Sequence, residues 1–351
     1  MKKIALLSVL LILFQSIILA QGSGKLIYTF GYNEVPDRSN LPLIGFVNTA
    51  HGDQKSIHVG LINTNTGNLS GTQIGLVNTV GDKMDGIQVA LVNTTGDDQR
   101  GLQVGLINTV GDNTQGFQVG IINAIGGKMQ GNQIGIINAV EKLEGFQVGL
   151  INATQNLKGF QLGIINGVER IIGVQVGIVN VTRLLTGLQL GVINNVETVN
   201  HGVPIGLLSF VKHGGYQAFE FSFNEMYPYN ASYKIGMDKF YTFPSISYNP
   251  NLVDPWAIGF GVGSIIPMNE EVFFNPELIS QTVLSDDFQQ ITSLGLQFGH
   301  AFMENLDFLA GPSVVWNRTT TNNPLFSIHN WDLGGTNRLH IGFRATLRYR
   351  F

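Results

Sequence analysis

The chain has 351 residues, 44 of them glycine, with no cysteine, 13% charged residues and a formal net charge of −4. Lack of cysteine excludes disulfides, thiol catalysis, cysteine metal sites and a lipid on an N-terminal cysteine; the acidic balance argues against nucleic acid as a partner. With little helical periodicity, this composition predicts an all-β exported protein.

Met1-Lys2-Lys3, the apolar run Ile4 to Leu13 and then Ile17-Ile18-Leu19-Ala20-Gln21 have the basic start, apolar centre and small-residue end of a secretory signal, residues 1–20, cleaved after Ala20. Without Lys2 and Lys3 the mature chain carries 18 basic against 24 acidic residues, about −6. The run from Ile4 to Ala20 contains Ser8, Gln15 and Ser16 and is marginal for a membrane helix, so no helical anchor is expected. Within 21–40, Leu26, Tyr28, Phe30 and Tyr32 alternate as a strand.

Residues 41–211 are a repeat array. Asn48, Asn63, Asn78, Asn93, Asn108, Asn123 and Asn138 recur every fifteen residues, and Asn152, Asn166, Asn180 and Asn194 follow every fourteen. So short a period predicts stacked units. Ile87, Val89, Leu91 and Asn93 alternate with Gln88, Ala90 and Val92, which is strand periodicity, and a second apolar pair such as Val80 and Met84 follows most asparagines. Each unit therefore reads as two short strands joined by bends. Gly71, Gly86, Gly101, Gly116, Gly131, Gly145, Gly159, Gly173 and Gly187 precede the strands, at corners where positive φ would favour glycine. One coil buries about four apolar side chains, worth roughly 6 to 12 kcal/mol, against an ordering cost of about 1 kcal/mol or more per residue. Stacking is therefore obligatory.

In a parallel β-solenoid of about twelve such coils the asparagines would form an amide ladder. Gln73, Gln88, Gln103, Gln118, Gln133, Gln147, Gln161, Gln175 and Gln189 form a second row, expected to face outward as a solvated or edge-satisfying stripe. End caps are expected where Leu43 and Pro204 replace the glutamine and Ser209 the asparagine. Proline is absent between Pro42 and Pro204, and every tyrosine and tryptophan lies before residue 33 or after residue 215. The array and its flanks thus present different surfaces.

Residues 212–351 alternate differently. Leu339, Ile341, Phe343, Ala345, Leu347, Tyr349 and Phe351 face one way, and His340, Gly342, Arg344, Thr346, Arg348 and Arg350 the other. One side suits lipid and the other a polar lumen. A chain that ends on phenylalanine in such a strand resembles bacterial outer-membrane β-barrels. The resemblance implies that Tyr349 and Phe351 are a C-terminal signal read by barrel-assembly machinery, and that the barrel's partner is outer-membrane lipid. Similar dyads at Phe219 to Phe223, Ala231 to Met237, Phe240 to Tyr248, Trp256 to Val262, Leu294 to Phe302 and Phe308 to Trp316 bring the count to seven. The strand Leu26 to Tyr32 completes an even eight. Met303-Glu304-Asn305 and Pro250 to Asp254 would then be periplasmic turns and 267–288 and 318–337 long outer loops. The solenoid, inserted after strand one, would lie outside the cell.

The units at 43–209 also resemble bacterial surface-repeat proteins with Gly-x-Gln-x-Gly-apolar-apolar-Asn phrases. Their fourteen-residue spacing is similar to that of the head β-rolls of trimeric adhesins. This chain lacks the Ser-x-Ala phrase and stalk of the adhesins, so collagen-type adhesion is not carried over. The alternative is a single large barrel of about twenty strands acting as a pore or transporter. Against it, alternating short and long turns would double the repeat, and the array lacks tyrosine and tryptophan girdles.

His51, His58, His201, His213, His300, His329 and His340 are scattered, and no metal is assigned. Asp82, Asp97 and Asp112 fall at equivalent corners where stacked carboxylates could meet calcium, although Gly-Asp is ordinary turn chemistry. Gly259-Phe260-Gly261-Val262-Gly263 lies in an alternating strand, where glycine leaves room inside a narrow barrel. Arg344, Arg348 and Arg350, with His340, would form a lumen network with Asp307 or Glu220. No nucleophile with a base can be nominated and no cofactor is implied. The expectation is a non-enzymatic outer-membrane protein displaying a solenoid for adhesion, interaction or envelope structure, with a surface protein or glycan as partner.

Overall fold

The computed structural model describes residues 27–285, 289–319, 330–334 and 337–351; the expected signal segment lies outside them. The chain divides into two compact units, Met1–Gly177 and Ile178–Phe351. The fold is all-β, a parallel β-solenoid of about ten turns and a closed eight-stranded antiparallel β-barrel. No helix among the described residues is long and apolar enough to cross a membrane.

As far as Val119 each coil supplies two short strands, such as Gln99–Val104 and Ile107–Val110, and from Ile122 strands run on across the corner, as in Ile137–Val148. Each pairs in parallel with its equivalent one repeat on, Gln103 with Gln118 and Asn108 with Asn123. Parallel pairing of adjacent units overturns the single large barrel, in which neighbours would run up and down. Glycine is required at the first corner on two counts: Gly116 has φ 145°, and a Cβ there would stand 1.9 Å from the carbonyl oxygen of Gly101 in the coil below. The period shortens at one place, because the pairing of the coils at Asn123 and Asn138 shifts between Ile125 and Lys128. One residue is lost at that corner while both strands keep their register.

The alternating segment near the N-terminus is not a barrel strand. Ile27–Tyr28 pairs in parallel with Leu43–Ile44, and Tyr32–Val35 with Val47–Ala50, so these residues form the first coil. Alternation alone is the same in both settings. Asn33 decides it, because its Nδ2 donates to Asn48 Oδ1 at 2.7 Å and starts the ladder one coil before Asn48, at the same fifteen-residue spacing.

In the second unit residues 178–213 continue the phrase. Asn194 Nδ2 donates to Ser209 Oγ at 3.2 Å, which ends the ladder where a cap was expected. Leu207 O accepts from Thr242 Oγ1 at 2.8 Å, tying the last coil to the barrel. The barrel strands are β1 (Tyr216–Asn224), β2 (Tyr229–Met237), β3 (Phe240–Tyr248), β4 (Trp256–Gly263), β5 (Val272–Val283), β6 (Gln289–Met303), β7 (Leu306–Thr319) and β8 (Asn337–Arg350). They pair in that order, and β8 closes on β1 with Ala218 opposite Arg350.

The eighth strand is thus β5, which lies in the span 267–288 expected to be an outer loop. Asn275-Pro276 imitates a turn, yet Pro276 sits in the ladder opposite Leu296. The even count now lies wholly after residue 215. The entry into β1 and the end of β8 therefore share one rim, together with the connections 238–239, 264–271 and 304–305. The other rim carries 225–228 and 249–255, together with the ends of β5 to β8 at Val283, Gln289, Thr319 and Asn337.

Candidate functional site: two buried ladders and a charged lumen

The asparagine ladder forms as expected. Asn78, Asn93, Asn108 and Asn123 have no exposed surface, and each Nδ2 donates to the next Oδ1, at 3.0 Å from Asn78 to Asn93 and 2.9 Å from Asn93 to Asn108. The second N–H donates to backbone, as from Asn93 to Val104 O at 2.9 Å. That backbone acceptor fixes which end of the amide is nitrogen. A glycine stands three residues before most of these asparagines and makes room for the amide of the preceding coil, since a Cβ at Gly105 would lie 2.8 Å from Asn93 Nδ2; Ala90 is the exception before Asn93. Asn48, Asn63, Asn138, Asn152, Asn166, Asn180 and Asn194 are buried in the same way.

The glutamine row is corrected. Gln73, Gln88, Gln103, Gln118, Gln133, Gln147, Gln161, Gln175 and Gln189 point inward and have no exposed surface. Gln88 Nε2 donates to Gln73 Oε1 at 3.0 Å and Gln103 Nε2 to Gln88 Oε1 at 2.7 Å. Their donors point toward the N-terminal neighbour while those of the asparagines point toward the C-terminal one, so the two ladders have opposed dipoles. A buried amide costs little only when its donors and acceptors are matched, and a strict repeat matches each one with its own copy.

With amides inside, the residues on either side of the glutamines, most of them apolar, turn out. Leu91 is 49% and Leu106 46% exposed, and Ile87, Val89, Ile107 and Ile121 are also exposed. The rest of the interior is a largely apolar column, as at Val80, Met84, Val110 and Met129, with Asn65, Thr95, Gln99 and Thr114 buried at equivalent positions. Charge sits beside that column, on the opposite side from the aliphatic face, and pairs between coils, as in Lys83–Asp98 at 3.1 Å and Lys128–Glu144 at 3.1 Å. Lys83 and Asn113 hold the Asp98 carboxyl below its usual range.

The barrel repeats this inversion. Phe221, Phe298, Ile341 and Phe343 are more than half exposed, whereas Glu220, Lys234, Glu277 and Arg348 are fully buried in the lumen. Arg344 bridges Glu220 at 2.8 Å and Glu277 at 3.0 Å. Lys234 reaches Glu277 at 2.8 Å and Glu220 at 3.3 Å. Arg348 reaches Glu220 at 2.9 Å, and Tyr241 donates to Glu277. The expected lumen network is therefore present for Arg344, Arg348 and Glu220. Arg350 pairs with Asp307 at 2.9 Å, and His340 is buried without joining either group. Sequence reasoning missed Lys234, Asn275 and Glu277. The inward alternation of Phe273, Asn275, Glu277 and Ile279 in β5 was the available signal.

Glycines in β4 leave space for inward rings: a Cβ at Gly261 would stand 2.2 Å from Phe243 and one at Gly263 2.6 Å from Tyr241. A cavity of about 30 Å³ beside Ser232, Ser245 and Arg344 has room for one water. Tyr349 and Phe351 lie outside the barrel with rings 5.4 Å apart. Asp82, Asp97 and Asp112 stack through backbone, Asp97 N on Asp82 O at 3.0 Å. Among the described residues no three His, Asp or Glu side chains converge as metal ligands.

No family model and no curated protein matches the chain.

Proposed function

We propose that this chain is a non-enzymatic outer-membrane protein of a two-membrane bacterium, with the barrel as its lipid-embedded anchor and the solenoid as an envelope scaffold. One observation carries the reading: the barrel buries Glu220, Lys234, Glu277 and Arg348 and exposes Phe221, Phe298 and Phe343. In water that surface is costly; in hydrocarbon it is the ordinary arrangement. Tyr229, Tyr248 and Trp256, with successive ring centroids 6.4 and 4.5 Å apart, mark one rim as an interfacial belt.

The orientation follows from loop length. Barrels of this kind have short periplasmic turns and longer outer loops. The rim that carries the two-residue connections 238–239 and 304–305 also receives the chain from the last coil, while at the other β7 ends at Thr319 and β8 begins at Asn337, with seventeen residues between them in the sequence. On this reading the solenoid emerges on the periplasmic side. The threading that placed it outside the cell required a first barrel strand before the array, and those residues belong to the first coil.

Asp98→Cys gives a single thiol in a chain with none. The protein should fractionate with outer membrane. A membrane-impermeant maleimide should label it only after permeabilisation. Labelling on intact cells would return the solenoid to surface display, and recovery in the soluble fraction would sink the anchor.

A further inference from the structure

We propose that the aliphatic side of the solenoid in the first unit is a lipid-contact surface that rests on the face of a bilayer. This shares the membrane setting of the barrel reading but stands on different residues. Segments 71–80, 86–95, 101–110, 116–125, 131–140, 145–154 and 159–168 contain no charged residue, and every charge between 71 and 172 falls in the corners between them. On that charge-free side Leu91, Leu106, Ile121, Ile136, Leu150 and Ile164 form a column, each 43 to 49% exposed. Soluble monomers rarely expose contiguous apolar surface beyond a few hundred Å², and this column is one of several on the same side.

The face cannot close over itself. Behind it lie Gln103, Asn108 and their copies, held by hydrogen bonds along the stack, so the aliphatic side chains cannot turn inward without displacing matched amides. It must be covered from outside.

Bilayer and protein differ here in what they require. A protein partner needs a register and polar contacts to fix it, but the column from Leu91 to Ile164 offers only leucine and isoleucine, about 4.8 Å apart from coil to coil. A partner on that column would find little to tell one coil from the next. Lipid chains need no register. Tyr28, Phe30 and Phe46 extend the apolar exterior at the first coils, with edge-to-face rings 5.8 and 6.0 Å apart, and aromatic residues suit a membrane interface. Meanwhile the paired charges Lys83–Asp98 and Lys128–Glu144 stay in water on the other side. An amphipathic element of this kind sinks its apolar face about 5–10 Å into the headgroup boundary.

The test uses the full chain in phosphatidylcholine–phosphatidylglycerol vesicles with nitroxide-labelled acyl chains. An environment-sensitive fluorophore is placed on one thiol at a time: Leu106→Cys, Asp112→Cys and, on the barrel exterior, Phe343→Cys. Emission from position 106 should be quenched and that from 112 spared. Quenching at 343 but not at 106 would overturn the solenoid contact and leave the anchor standing; quenching at 106 but not at 343 would do the reverse. Disulfide cross-linking of L106C between two chains in the vesicles, with no quenching there, would assign the face to a second copy instead.

Discussion

Asn93 Nδ2 donates to Asn108 Oδ1 at 2.9 Å, and neither side chain has any exposed surface. The bond is one rung of a column in which every amide is both donor and acceptor, so removing one leaves two neighbours unmatched. Asn108→Leu, alike in branching, should destabilise the solenoid by about 2–6 kcal/mol, from about 1–3 kcal/mol for each of the two stranded groups. Hydrogen exchange should quicken first at the coils of Asn93 and Asn123. Unchanged exchange there would mean that the ladder is a by-product of stacking.

Two glycines four residues apart should respond differently to the same methyl group. Gly101 has φ 121° and a Cβ there would meet Gly86 O at 2.0 Å, so Gly101→Ala should cost more than about 4 kcal/mol or prevent folding. Gly105 falls in a column where Ala90 already stands, its counterpart one coil before. A Cβ there would still meet Ala90 O at 2.3 Å, but the backbone is one that alanine adopts, so Gly105→Ala should cost less, about 1–3 kcal/mol. Urea midpoints of the two variants decide it, and equal losses would refute the distinction.

His58 occupies the glutamine position of its coil, opposite Leu43 on one side and Gln73 on the other. Burial pushes its imidazole down to about 4, so between that value and the ordinary 6.5 the unfolded chain binds the extra proton. Stability is therefore fully present above about pH 6.5 and declines as the pH falls toward 4, by up to about 3 kcal/mol. His58→Gln should flatten that slope. Denaturation midpoints at pH 7 and pH 4.5 test it; the same slope in both proteins would show that other groups cause the loss.

In the lumen, Lys234, Arg344 and Arg348 face Glu220 and Glu277. Three cations against two carboxylates make the two kinds of deletion unequal. Glu277→Gln leaves three cations around one carboxylate and should cost about 3–5 kcal/mol, the range for breaking a buried pair. Lys234→Met leaves matched charges and should cost less. The temperature at which the folded barrel converts to its slow-migrating form on a denaturing gel should drop further for E277Q, and the opposite order would contradict this charge balance.

Several elements were legible because their residues carry a period or a chemistry with one solution. The asparagines spaced by fifteen and fourteen imply parallel stacking, and the ladder formed where expected. The final strand from Leu339 to Phe351 was readable because its two faces differ in kind, arginine against phenylalanine. Other elements were not. Leu26 to Tyr32 and the dyads of the barrel alternate alike, and only Asn33, caught by Asn48, reveals the solenoid edge. β5 was hidden by Asn275-Pro276, whose local preference for a turn is overridden by pairing on both sides.

The spacing of asparagine and glycine specifies a stack, its repeat length and its corners, and the alternation of the last residues specifies a strand with one greasy and one charged side. Which side of each coil lies inside depends on contacts between coils that are absent from any single repeat. Alternation divides residues into two faces without ranking them, and a transfer scale would bury Val89 and expose Gln88. The amide goes in because an identical amide waits in the next coil, and that match exists only once the chain has stacked.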